Sequence, residues 1–321
     1  MSTPLLKVEG LKKYFPIHKG IFLKKAGNVH AVDDLSFEIN PGETLGIVGE
    51  SGCGKSTLAK TLIKLYEPTE GKIYFEDSDI STLNKDELKK LRSDFQMIFQ
   101  DPFSSLDPRL TVQAILTEPF EIHKIGQRRE RIEWAKELLD QVGLPQSALG
   151  RYPHEFSGGQ RQRLGIARAI ALKPKLILCD EPVSALDVSV QSQILNLLVE
   201  LQEKLNLSYL FIAHDLSVVK YISDKIAVMY LGKIVEIGDT QEVYKNPKHP
   251  YTKALMDSIP LPDPSKRSEL KSLDGEVPSP INPPKGCYFH PRCPYAQEKC
   301  KKERPILQGS DKQRFSCHFP L

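Results

Sequence analysis

The segment Gly49-Glu50-Ser51-Gly52-Cys53-Gly54-Lys55-Ser56-Thr57 contains the pattern G-x-x-x-x-G-K-[ST]. Its glycines let the backbone curl so that successive N–H groups point at phosphate oxygens. A following helix presents its positive end to the same anion. In that arrangement Lys55 reaches the β- and γ-phosphates of a nucleotide and the Ser56 hydroxyl ligates Mg²⁺. A second segment, Leu176-Ile177-Leu178-Cys179-Asp180-Glu181, is an apolar run that ends in two carboxylates. A buried strand delivering Asp180 to the metal is what Mg²⁺–nucleotide chemistry needs. Glu181 points elsewhere and is placed to polarise an attacking water. Cys53, inside the loop, contributes mainly backbone.

Four cysteines form a second group, spaced Cys287-x5-Cys293-x6-Cys300-x16-Cys317, while Cys53 and Cys179 stand alone in the first two thirds of the chain. In a reducing compartment such a cluster reads first as a metal site and only second as disulfides. Four thiolates suit either tetrahedral Zn²⁺ or an iron–sulfur cluster. The spacing lacks the C-x2-C pairs of a zinc ribbon and departs from the common ferredoxin patterns. His290 and His318 read as ordinary loop histidines rather than ligands. A short, proline-rich tail has little core of its own, so a metal there would supply folding energy.

These residues need elements to hold them. Thr44 to Val48 is an apolar strand too uniform to have a wet face, and Lys55 to Tyr66 reads as the helix after the phosphate loop. Leu35, Phe37 and Ile39 alternate like a half-buried antiparallel strand, and Lys72 to Glu76 is another short strand. Residues 130–142 form an amphipathic helix with Ile132, Ala135, Leu138, Leu139 and Val142 on one face. Leu176 to Cys179 and Tyr209 to Ala213 are further apolar runs with a helix, Gln191 to Leu205, between them. Ile226 to Ile237 reads as two strands around Leu231-Gly232. Buried strands alternating with helices, each strand ending in polar residues, indicate an α/β fold with a mainly parallel sheet whose working edge lies at the carboxyl ends of its strands.

Composition sets outer limits. The chain has 321 residues, 44 basic and 41 acidic side chains and 40% hydrophobic residues, which excludes wholesale disorder and allows about two domains. A formal net charge of +3 is too small for a dedicated nucleic-acid binder. No run approaches the ~18 apolar residues of a membrane span, and Met1 to Phe15 lacks the apolar centre of a signal peptide. An intracellular protein that meets membranes only through partners is expected. Prolines concentrate beyond about residue 245, so that tail cannot be a long helix or a central strand.

Phe156-Ser157-Gly158-Gly159-Gln160-Arg161-Gln162-Arg163 precedes a helical stretch, Leu164 to Ala171. It resembles the signature sequence of ATP-binding cassette proteins. The order of the remaining pieces is similar to that family too. Gln100 looks like its Q-loop glutamine, Ser184-Ala185-Leu186-Asp187 like its D-loop, and His214 like its switch histidine. Tyr14 looks like the aromatic residue that stacks on adenine, although an insertion between Phe15 and Val29 departs from the family pattern. The resemblance implies a P-loop cassette over residues 1–245, with an N-terminal antiparallel β subdomain and a helical signature subdomain at about 101–165. Residues 246–321 would be a small cysteine- and proline-rich extension. It further implies that ATP is sandwiched in a head-to-tail dimer, between Gly49 to Thr57 of one chain and Ser157, Gly158, Gly159, Gln160 and Asp187 of the other. Ser56, Gln100 and Asp180 would hold Mg²⁺, Glu181 would be the general base, and His214 would contact the γ-phosphate.

Leu11 to Pro16, GESGCGKST at 49–57, Phe99 to Arg109 and His249-Pro250-Tyr251-Thr252 are most similar to the ATPases of oligopeptide and dipeptide importers, in particular their F-type subunit. The likeness covers essentially the whole chain. It implies a D-type ATPase partner, two membrane permeases, an extracytoplasmic peptide-binding protein, and a location on the cytoplasmic face of the membrane. It also implies a [4Fe–4S] cluster on Cys287, Cys293, Cys300 and Cys317, with Zn²⁺ as the alternative occupant. Nickel importers use similar ATPases. A cassette ATPase acting on DNA or ribosomes is disfavoured, because only about 100 residues without sustained heptads separate phosphate loop and signature, and the net charge is weak.

Overall fold

The computed structural model describes residues 3–19, 24–258 and 275–321. In chain order, β1 (Leu6–Lys19) and β2 (Lys24–Ile39) pair antiparallel, and β3 (Thr44–Val48) runs into α1 (Lys55–Leu62). Next come β4 (Glu70–Phe75), β5 (Ser78–Asp79), α2 (Lys85–Leu91) and β6 (Phe95–Ile98). Helices α3 (Pro102–Ser105), α4 (Val112–Ile122), α5 (Arg128–Gln141) and α6 (Gly158–Ile170) lead to β7 (Leu176–Asp180), α7 (Val188–Leu205), β8 (Ser208–Ile212) and α8 (Leu216–Ile222). The hairpin β9 (Lys225–Tyr230) and β10 (Lys233–Asp239) follows, and the last elements are α9 (Thr240–Lys245), α10 (Pro250–Asp257), α11 (Glu298–Lys302), β11 (Gln308–Ser310) and β12 (Gln313–Phe315).

Two sheets result. One is antiparallel, in the order β2-β1-β4-β5, and the other has eight strands in the order β11-β12-β10-β9-β3-β8-β7-β6. Strands β9, β3, β8, β7 and β6 are mutually parallel, and β10, β12 and β11 continue the sheet antiparallel. Strands β3, β7 and β8 are buried at every position, which is why their sequences are uniformly apolar rather than alternating. Each nevertheless serves two cores with its alternate residues. Ile177, Cys179, Tyr209 and Phe211 face the core shared with the helices from α4 onward. Leu176, Leu178, Leu210 and Ile212 face the core shared with the antiparallel sheet and α1, where Leu6, Leu35, Phe37 and Ile39 meet them.

One expectation needs adjusting. Helix α1 stops at Leu62 rather than at Tyr66, because Lys64 turns left-handed (φ 53°) and its ammonium reaches the carbonyls of Ser81 and Leu83. The C-terminal tail is not appended loosely. Its strands β12 and β11 extend the main sheet at β10, and Tyr288 and Phe289 sit in the main core.

Phe289 is 1% exposed and contacts the rings of Tyr230, Tyr251 and His249, so it links the tail to β9 and α10. Truncating a buried Phe costs about 3–5 kcal/mol. Phe289→Ala should lower the unfolding free energy of the whole chain by that amount in equilibrium denaturation. A change under about 1 kcal/mol would mean that the tail is not part of the cooperative core.

Candidate nucleotide site

The phosphate loop leaves the carboxyl end of β3, in the middle of the parallel strands, and ends at α1. Gly54 caps α1 with φ 105°, and no side chain caps that helix. The backbone N–H groups of Gly52, Gly54 and Ser56 donate to no protein acceptor among the described residues, while that of Lys55 points at the Cys53 thiol. Unpaired N–H groups at a helix N-terminus constitute an anion site. Glycine is obligatory at two positions: a Cβ on Gly49 would stand 2.1 Å from the Met229 carbonyl oxygen, and one on Gly54 would stand 1.9 Å from that of Ala31. The loop is therefore wedged between β2 and β9. The Gly232 N–H donates to the Cys53 carbonyl at 2.9 Å and closes that side.

The buried Lys55 ammonium donates to the carbonyl oxygens of Gly49 (2.7 Å) and Glu50 (3.2 Å). The Ser56 hydroxyl donates to Asp180 Oδ1 at 2.9 Å. Burial pushes the Asp180 carboxyl up from its usual range; the Ser56 hydroxyl opposes that shift and the neighbouring Glu181 charge adds to it. A desolvated carboxylate beside a hydroxyl is a donor set suited to a hard divalent cation, whose charge would offset the cost of burial.

Glu181 is separated from Asp180 by its backbone. It adopts φ 48°, which turns its carboxylate toward Gln100 and His214. Gln100 Nε2 donates to Glu181 Oε2 at 2.8 Å, and His214 Nδ1 lies 3.9 Å from the same oxygen. Thus Gln100 from the end of β6, Glu181 from the end of β7 and His214 from the end of β8 converge, beside the Ser56–Asp180 pair. Cys53 and Cys179 are both buried thiols pushed up by desolvation, and neither forms a disulfide.

The signature segment builds a second helix N-terminus. Ser157 caps α6 in a capping box, with its N–H donating to Gln160 Oε1 at 3.0 Å and its hydroxyl accepting from the Gln160 N–H at 3.4 Å. The N–H groups of Gly158 and Gly159 have no protein acceptor among the described residues. No hydrogen bond joins Ser157 or Gln160 to the phosphate loop. Asp187 is exposed at the start of α7 and caps it with no side-chain bond.

Tyr14 is already engaged. Its hydroxyl donates to Asp33 Oδ1 at 2.6 Å, and its ring stacks on His30 with centroids 4.2 Å apart. Asp33, which sequence reasoning missed, is 4% exposed and also accepts from the Tyr288 hydroxyl (2.9 Å), with Lys233 Nζ 3.2 Å away. Arg292 and Tyr251, both bonded to Glu50, were likewise not singled out for a role. Glu50 lies 201 residues from Tyr251 and 242 from Arg292, so no local pattern marks these pairs.

The thiols of Cys287, Cys293, Cys300 and Cys317 line one small pocket of about 10 Å³, with His249, Phe289, His290 and His318 around it. None of the four is in a disulfide. Burial raises the thiols of Cys287 (to about 11), Cys293 and Cys317. His290 Nδ1 lies 2.8 Å from the Cys287 carbonyl and His318 Nε2 lies 3.0 Å from that of Glu303, as loop histidines do. Among the described residues, no group of three or more His, Cys, Asp or Glu is arranged to hold a metal ion.

Comparison with known proteins places this geometry. The family model "ABC transporter" matches residues 32–184, and the model "Oligopeptide/dipeptide transporter, C-terminal region" matches residues 235–300. The oligopeptide transport ATP-binding protein AppF of Bacillus subtilis is 56% identical over 98% of this chain and 97% of its own length. The chain belongs to the ATP-binding subunits of the ABC transporter family. It is an ABC-type ATPase of the oligopeptide-transport branch. The OppF proteins of Escherichia coli (52% identical) and Salmonella typhimurium (51%) each match over 98% of this chain and 95% of their own length. Among solved structures, the dimeric ATP-binding cassette MJ0796 bound to ADP and Pi superposes with a TM-score of 0.65 at 30% identity, covering 73% of this chain and 98% of that one. The protein cbiO1 of Clostridium perfringens, described as part of the ABC transporter complex cbiONQ, gives 0.65 at 27% identity over 76% of this chain and 92% of its own.

The Gly54 contact yields a direct test. Gly54→Ala forces both a left-handed alanine and a collision with backbone, which no flexible side chain can relieve. It should abolish binding of a fluorescent ATP analogue to the full-length chain, with affinity falling by at least about a hundredfold. Gly52→Ala separates the two causes: it shares the left-handed backbone (φ 80°) but its Cβ meets nothing within 4 Å, so it should weaken binding less than Gly54→Ala.

Proposed function

We propose that this chain energises import of oligopeptides or dipeptides, as one half of a head-to-tail pair of cassettes on the cytoplasmic face of the membrane. The single observation that carries this reading is the convergence of Gln100, Glu181 and His214 beside Ser56 and Asp180, at the end of a loop rich in unpaired N–H groups. The loop and Lys55 bind the triphosphate. Ser56 and Asp180 would hold Mg²⁺, with Gln100 near it; when bound, the ion neutralises charge on the β- and γ-phosphate oxygens. Glu181 accepts the proton of the attacking water, Gln100 orients the Glu181 carboxylate, and His214 contacts the γ-phosphate.

The signature helix supports the dimer reading. Ser157, Gly158 and Gly159 form a second anion site that has no hydrogen bond to the first. One nucleotide uses both sites only if the second comes from another chain, together with Gln160 and Asp187. The relatives that are F-type subunits suggest a D-type ATPase as that partner, with two permeases and an extracytoplasmic peptide-binding protein completing the system. A groove of about 930 Å³ between α1, α2, β6 and α4 is where a permease segment would seat. It combines apolar Leu65, Phe99 and Ile122 with basic Lys85, Lys89 and Arg92. Leu65 and Ile122 are 51% and 48% exposed, as fits a surface with a partner. No helix among the described residues is long and apolar enough to cross a membrane, so the permeases would be separate chains.

Glu181→Gln should cut hydrolysis by at least about a hundredfold while MgATP binding persists. With the D-type partner present it should accumulate an ATP-dependent closed dimer on size-exclusion chromatography. Near-normal turnover would remove Glu181 as the base, and loss of ATP binding would remove the phosphate-loop assignment.

The tail cysteines suit a metal centre by donor type: four of them line one pocket and none is in a disulfide. Among the described residues they are not arranged to hold a metal ion, so their side chains would have to reorient around either a zinc ion or a cluster. The reading we favour is a structural [4Fe–4S] cluster on Cys287, Cys293, Cys300 and Cys317, and it rests on the likeness to oligopeptide-transport ATPases rather than on the present geometry. Anaerobically purified protein should be brown and contain iron and acid-labile sulfide in equal amounts. Colourless, zinc-loaded protein would overturn the cluster.

A further inference from the structure

Glu50 is the second residue of the phosphate loop, and each of its polar groups has a partner. Its N–H donates to the Tyr251 hydroxyl at 2.9 Å. Its carbonyl accepts from the Cys53 N–H at 3.2 Å and from Lys55 Nζ at 3.2 Å. Its carboxylate is held fork-to-fork by Arg292, with Nη1 to Oε2 at 2.7 Å and Nη2 to Oε1 at 3.0 Å. The Arg292 side chain is 5% exposed and that of Glu50 26%. The guanidinium also lies 6.0 Å from the Tyr230 ring, in the aromatic group that seats the tail. Among the described residues, the one cation bonded to this carboxylate comes from the tail, 242 residues away in sequence.

A carboxylate in a loop that binds a triphosphate is an electrostatic liability. Both carry negative charge, and the half-buried setting screens their repulsion less than bulk water does. A bidentate guanidinium cancels that charge and fixes the carboxylate plane, which a lysine on the same site would not do. The Tyr251 hydroxyl, accepting from the Glu50 N–H, anchors the peptide of the same residue.

We propose that Arg292 is a positioning residue for nucleotide binding, neutralising and orienting Glu50 so that the phosphate loop can accept MgATP. The proposal deepens, and rests on, the reading of residues 49–57 as the ATP site. It makes the tail a contributor to ATP affinity rather than to the chemical step.

A charge cycle tests it, read by equilibrium binding of a fluorescent MgATP analogue to the full-length chain. Arg292→Met should weaken binding by about tenfold, because it leaves the Glu50 charge unopposed. Adding Glu50→Gln to Arg292→Met should restore affinity to within about threefold of wild type, since no uncompensated charge remains. Arg292→Lys should fall between them. Binding by Arg292→Met equal to wild type would overturn the proposal. So would a double variant as weak as the single one, which would reduce Arg292 to a packing role. Should Arg292→Met fail to fold, Arg292→Lys decides: it keeps the charge but loses the two-pronged contact, so it must bind MgATP more weakly than wild type, and equal binding overturns the proposal. Absence of MgATP binding by the wild-type chain would instead refute the ATP-site reading itself.

Discussion

A set of backbone N–H groups held unpaired at the end of a buried strand is the constraint from which most of this architecture follows. Leaving such donors without acceptors is unfavourable, and a free loop would turn them inward or toward water. Here the loop cannot relax, because carbonyls of β2 and β9 press on it from two sides and only glycine fits at Gly49 and Gly54. Those two strands keep their places through different sheets. β9 pairs with β3 in the parallel sheet, and β2 belongs to the antiparallel one. The apolar core between the sheets, where Leu45 and Ile47 meet Leu58 and Leu62, therefore also sets the width of the phosphate site.

The same sheet separates two chemically similar carboxylates. Asp180 and Glu181 are neighbours in sequence, yet one is bonded to Ser56 and the other to Gln100. Strand alternation accounts for part of the divergence. The left-handed backbone at Glu181, stabilised by its N–H donating to the Ile212 carbonyl at 3.0 Å, accounts for the rest. Strain of this kind persists only where surrounding contacts over-determine it, and here it serves to give adjacent residues different partners. One is left desolvated beside a hydroxyl and the other half-buried and hydrogen-bonded to an amide.

Which of these features a sequence reader can see depends on how local their causes are. The phosphate loop, the strand ending in Asp180, the glycine-bearing segment at Ser157 ahead of a helix and the all-apolar strands β3, β7 and β8 are written in runs of a few residues, and all were legible. Helix α1 ended a turn early because the Lys64 ammonium finds carbonyls in another segment, which no periodicity records. Tyr14 was legible as an aromatic at the start of the fold, but its hydroxyl bond to Asp33 was not. Arg292 looks in sequence like a charge between histidine and cysteine in a polar tail. Only the folding of that tail back over β9 turns it into the counterion of a loop residue at position 50.

That return of the chain bears on what the cysteine-bearing tail is for. Asp33 is nearly inaccessible and is satisfied jointly by Tyr14 and Lys233 from the cassette and by Tyr288 from the tail. Arg304 reaches the Tyr288 hydroxyl at 2.8 Å and adds a second tail cation nearby. Without the tail, a buried carboxylate would lose one of its donors, Glu50 would lose its counterion, and the ring of Tyr230 would lose the cover of Phe289. Losing a partner from a buried charge is far costlier than losing a surface pair. The cassette and the tail consequently stabilise each other through charged groups that border the nucleotide site. Whatever fixes the conformation of residues 287–304, whether thiol ligation or packing alone, is thereby linked to the geometry of the phosphate loop.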